Sequence, residues 1–206
     1  MNNNKTNVRF LAQLGLLAAI EIVMKLIGLG SVPVGPLYMS FLTVPIAVGA
    51  MTMGPAAGAI LGAVFGLVSF KDALSGVGMT GMFFQISPLN TFVLCVVMRV
   101  LMGFCVGLIF KALRFIDRRG GWSYFIGALS APLLNTLFFM GYIVLAFYHT
   151  EYVQSLVIAK GATNPLMFVV LLTGVQGAVE AVVCSVAGTA IGSSVLKAVS
   201  RMNGHR

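Results

Sequence analysis

Apolar residues run through this chain in long blocks, with polar positions gathered between them. Blocks at residues 8–29, 90–113, 122–147 and 165–196 are long enough to cross a bilayer as helices, which takes about 20 residues at a rise of about 1.5 Å each. Two shorter blocks lie between the first and the second of these. Residues 38–53 are interrupted by Pro45, and the Gly54-Pro55 pair parts them from 56–70, with Pro55 suited to a first helical turn. The pattern predicts an all-α integral membrane protein of six transmembrane helices. No polar or low-complexity linker divides it, so residues 1–206 read as a single membrane-embedded domain.

The connections have chemistry of their own. Residues 28–37 are rich in glycine and proline and read as a loop. Residues 71–88 form a long mixed stretch ending in Phe83, Phe84, Gln85 and Ser87, whose aromatic and amide content suits a lid over a binding site. A third connection covers 148–164. Within the helices, Ala12, Gly15 and Ala19 share one bare face, open either to internal packing or to a docking partner. Gly58, Gly62 and Gly66 share another, which reads as tight helix packing. Glu21 and Lys25 stand four apart in the order that favours an ion pair.

Composition agrees with the pattern: 59% of residues are hydrophobic and 9% charged, against about a quarter charged in soluble domains. The net charge of +8 does not point to nucleic acid, because the basic residues flank apolar blocks and form no exposed stripe. Lys5, Arg9, Lys111, Arg114, Arg118, Arg119, Lys197, Arg201 and Arg206 fall on one side of the predicted bundle and Lys25, Lys71 and Lys160 on the other. That asymmetry predicts both termini in the cytoplasm. The first block contains Glu21 and Lys25 and lacks a small-residue cleavage site, so it is expected to remain as a helix. Cys95, Cys105 and Cys184 lie in apolar runs, none in a CxxC pair, and read as free thiols.

One basic residue is left over, Arg99, near the middle of the 90–113 block. An arginine at that depth costs about 2.5–3.5 kcal/mol on insertion scales, so it faces protein, water or a counter-ion. Asn135, Gln176 and Glu180 are also expected at membrane depth, with Thr173 and Tyr142 as helpers. Such a set can hold a small polar anion, the guanidinium taking a carboxylate in a fork and the amides meeting hydroxyl or amide groups. The same residues also fit a buried latch between Arg99 and Glu180, and both readings stay open. Enzyme chemistry finds little support. The two histidines, His149 and His205, fall in a loop and in the tail, and the chain has no GxSxG, HExxH or GxxxxGK[ST]. No cofactor or metal site is expected, and any ATP-driven step would need a partner ATPase.

The order of SFLTVPIAVGAMTMGPAAGAILGAVFGLVSF, FFQISP, MRVLMG and LLNTLFFMGY resembles the substrate-binding S components of energy-coupling factor (ECF) transporters, the bacterial vitamin importers. Among them it is most like the pantothenate-specific members. The resemblance implies a high-affinity subunit in the bacterial cell membrane. It takes its vitamin from outside, docks on a transmembrane T component with two ATP-binding-cassette ATPases, and topples to deliver it. The family's AxxxA docking motif would match Gly15 and Ala19. Pantothenate would place its carboxylate on Arg99 and its amide and hydroxyls near Asn135, Gln176 and Asn90, with Glu180 accepting a hydroxyl or orienting Arg99. Phe84 and Tyr142 would pack on its apolar parts, with Ser87 in the same loop-borne site. The alternatives are an S component for another vitamin such as folate or riboflavin, a polytopic membrane enzyme, or an assembly factor.

Overall fold

The computed structural model describes residues 3–30, 32–34, 37–117 and 121–204. Arg118, Arg119 and Gly120 of the basic run, Gly35 and Pro36 of the first connection, and His205 and Arg206 of the tail lie outside the described residues. Four helices among the described residues are long and apolar enough to cross a membrane: Pro55–Leu74, Pro88–Ile116, Trp122–Phe147 and Pro165–Val195. The first block forms α1 (Asn3–Leu26), which carries Arg9, Glu21 and Lys25 and is not one of those four. The second forms α2 (Thr43–Met53), 11 residues long, which is about 16 Å and roughly half of a bilayer's apolar thickness. The six blocks thus resolve into four helices of spanning length, one short apolar helix and the more charged α1.

Helix α2 is apolar on every side, as a helix enclosed by others must be. Thr43 through Met51 are all buried, against α1, α3 (Pro55–Leu74), α6 (Met98–Ile116), α7 (Gly121–Phe147) and α9 (Pro165–Gly204). It ends at Gly54, whose φ of 97° lies where an L side chain is strained, and Pro55 then opens α3.

Helices α3 and α6 pack backbone to backbone. A Cβ on Gly62 would run into the carbonyl of Arg99, one on Gly58 into that of Gly103, and one on Gly103 into that of Gly58. The glycine face of α3 is therefore a packing seam, and it holds the Arg99 backbone directly against α3.

Three connections are more ordered than the sequence suggests. Residues 71–88 are not a loop: α3 continues through Leu74, and α4 (Gly78–Ile86) follows. The glycines hide the pattern, but Met79 and Phe83 stand four apart and are both buried, and the Phe83 ring stacks on Phe147 at 4.3 Å. Residues 148–164 likewise contain α8 (Glu151–Lys160), capped by the Thr150 hydroxyl and closed by Gly161 at φ 64°. The first connection folds into a hairpin of β1 (Val32–Val34) and β2 (Leu37–Met39), with Val32 opposite Met39.

Among the described residues, two large apolar clusters and a smaller one around Ala73, Cys95 and Val96 make up the core. Leu42, Ile46, Leu61, Met102 and Val106 belong to one large cluster, and Phe83, Met140, Ile143, Phe147 and Phe168 to the other. A cavity takes lining residues from both large clusters.

Candidate functional site

The cavity is lined by α3, α6, α7 and α9, by the start of α4 through Val77, Met79 and Thr80, and by the end of α1 and the hairpin. It offers about 90 Å³ to the centres of water-sized molecules, several times what one water needs. That is room for a small organic molecule. Its charged lining residues are Lys25, Asp72, Arg99 and Glu180.

Arg99 reaches the cavity through a local irregularity. Between α5 (Pro88–Phe92) and α6 the helix widens into a π turn, Val93–Val97, a distortion that often marks functional sites. The Arg99 side chain folds back along its own helix, as long helical side chains do, and its Nη1 donates to the carbonyls of Cys95 at 3.1 Å and Leu94 at 3.4 Å. Its guanidinium carbon lies 4.3 Å from the Phe65 ring centre and 4.9 Å from that of Phe139, a cation–π clamp that strengthens away from water. The Nε is buried and donates to nothing.

Arg99 and Glu180 do not form a latch. The Glu180 carboxylate accepts from the Ser40 N–H at 2.7 Å and from the Gln176 amide at 3.4 Å. Gln176 also donates to the Tyr38 carbonyl at 2.9 Å, and its own carbonyl oxygen is buried and unbonded. The hairpin is thus tied to α9 through the two side chains the sequence marked there. Arg99 leaves a donor unbonded and Gln176 an acceptor, both residues line one cavity, and buried polar atoms of this kind normally find partners.

Of the residues the sequence singled out, Arg99, Asn135, Gln176 and Glu180 line this cavity, together with Thr173. Asn90, Tyr142, Phe84 and Ser87 are not among its lining. The Tyr142 hydroxyl donates to Asn90 at 3.2 Å, joining α7 to α5. Phe84 packs edge-on against Phe70 with ring centres 5.9 Å apart, and Ser87 caps α5 by accepting from the Asn90 N–H. Residues 78–86 are helical, and this stretch meets the cavity through Met79 and Thr80 and not through Phe84 or Ser87. Ala12, Gly15 and Ala19 are exposed on α1.

The predicted pair within α1 gives way to a longer one. Lys25 bridges to Asp72 on α3, while Glu21 is fully buried with neither oxygen bonded. Lys25, Asp72, Tyr38, Phe65 and Phe139 are among the cavity residues that sequence reasoning missed. The two charges stand near block ends, where a topology signal explains them equally well, and the aromatic residues merge into apolar runs. Among the described residues no cluster of His, Cys, Asp or Glu is arranged to hold a metal ion.

No curated protein matches the chain. A family model described as "ECF transporter, substrate-specific component" matches residues 9–191. With nearly the whole chain covered and a polar cavity inside an apolar helical bundle, the chain belongs to the ECF transporter substrate-specific components, membrane-embedded subunits that capture a small molecule and work with a T component and ATPases.

Proposed function

We propose that this subunit captures pantothenate from outside a bacterial cell and hands it inward by toppling on its T component. In this reading α1 and α2 complete a bundle of six membrane helices with both termini in the cytoplasm. The observation that carries the proposal is the state of Arg99: a buried guanidinium clamped by two rings, with no acidic partner and an unbonded Nε, in a cavity of small-molecule size. A carboxylate satisfies it, and a fork to the guanidinium gives direction as well as charge. Pantothenate adds hydroxyl and amide groups. The unbonded Gln176 oxygen, Asn135 and Glu180 match them in type. The exposed small residues Ala12, Gly15 and Ala19 are the proposed docking face for the T component.

Titration of the purified chain with pantothenate tests the site. Arg99→Ala is expected to weaken binding by at least about thirtyfold, the lower end of what loss of one partner in a buried charge contact costs. Near-normal affinity in that variant would sink the assignment. Mass spectrometry of the small molecule retained by the wild-type chain separates pantothenate from folate or riboflavin.

A further inference from the structure

Glu21 lies on the inner face of α1. Leu14, Leu17, Ala18 and Met24 stand three, four or seven positions from it, on the same side of the helix. All four belong to the apolar cluster shared with α2 and α3. α2 carries no charged residue, and the charges of α3 are Lys71 and Asp72 near its end. Glu21 is fully buried with neither carboxylate oxygen bonded, a setting that favours the neutral acid over an ionised carboxylate.

One turn further along, Lys25 stands at the spacing that pairs best with a preceding glutamate. It bonds Asp72 across the gap to α3 instead, and both residues line the cavity. The chain after Lys25 leads straight into the hairpin. The Gly30 N–H donates to the Met24 carbonyl at 3.1 Å, and a Cβ on Gly30 would lie 2.9 Å from the Lys25 Cα. The root of the hairpin therefore rests on the backbone that Lys25 anchors.

We propose that Lys25 exchanges between two acids: it holds Asp72 while the hairpin is seated on the cavity, and turns to Glu21 when the last turn of α1 parts from α3. Glu21 is then the positioning residue for opening of the site. In the exchange the Glu21 proton passes to water admitted by the opened cavity, and the carboxylate accepts a charge-assisted bond from the ammonium. Each state leaves Lys25 with an acidic partner. The residue that changes protonation is the one that has an apolar seat in the closed state.

Infrared spectroscopy of the full-length chain in lipid nanodiscs, with no ligand added, tests this independently of the pantothenate reading. The stretch of a protonated carboxyl is assigned to residue 21 by its loss in Glu21→Gln. It is expected in the wild-type chain and in Lys25→Met, which has no ammonium to exchange. It is expected to vanish in Asp72→Asn, where Lys25 turns to Glu21. Amide hydrogen exchange over residues 27–30 and 37–42 should then quicken by up to about fivefold in Asp72→Asn, the scale of one partly exposed ion pair. Asp72→Ser makes the same comparison if Asp72→Asn does not fold. A band that persists when Asp72 is removed, or one missing from the wild-type chain, overturns the exchange.

Discussion

The guanidinium of Arg99 is anchored without being satisfied. Two rings and two carbonyls of its own helix fix it, and its buried Nε is left without a partner. Glu180 is the reverse case, a carboxylate already occupied by the Ser40 N–H and the Gln176 amide. Residues at this scale separate into those that face the cavity and those that hold the walls. Tyr142 is of the second kind, so Tyr142→Phe is expected to lower stability by about 1 kcal/mol, the worth of one hydrogen bond to Asn90. Ligand affinity should be unchanged, and thermal unfolding beside a binding titration checks both. Arg99, Asn135, Gln176 and Glu180 were legible in the sequence because a polar residue inside an apolar run is expensive and stands out. Lys25 and Asp72 were not, since their partnership crosses 47 positions and leaves no periodic trace. Phe84 and Ser87 looked like lid residues only while residues 71–88 were read as a loop.

At the scale of elements, the contact between α3 and α6 sets the geometry of the site. Gly62 meets the Arg99 carbonyl, so a side chain there pushes on the backbone that carries the guanidinium. Gly62→Ala is expected to cost about 1–3 kcal/mol, the range for overpacking a close contact, and to weaken ligand binding as α6 shifts. Loss of stability with full affinity retained would show that the seam and the site are independent, contrary to this account. The long apolar helices were evident from block length alone. Helix α4 was hidden by its glycines, which lower helix propensity, and it forms because Met79 and Phe83 are buried against neighbouring elements. The hairpin was hidden for a similar reason, its glycines and prolines reading simply as a loop.

Over the whole molecule, the cavity lies among α3, α4, α6, α7 and α9 beneath the hairpin and the end of α1, while the middle of α1 presents Ala12, Gly15 and Ala19 outward. Ligand capture and partner docking are therefore proposed for different surfaces, which makes them separable. Ala19→Trp is expected to prevent close helix approach and so to abolish co-purification with the T component and ATPases. Ligand affinity of the isolated chain should not change. A tryptophan variant that still assembles would move the docking face elsewhere.

By itself the sequence determined the class of the protein, the helical blocks and the polar side chains placed inside them, because apolar length and intramembrane polarity are the two properties a bilayer constrains most strongly. Its resemblance to ECF substrate-binding components agrees with the family match over residues 9–191. Only the tertiary structure decided which polar groups meet. It paired Lys25 with Asp72 in place of Glu21, bound Glu180 to the hairpin in place of Arg99, and folded residues 78–86 into a helix whose first turn lines the cavity. Each of these depends on which distant elements come together, and the glycine seam of α3 and the burial of α2 bring them there.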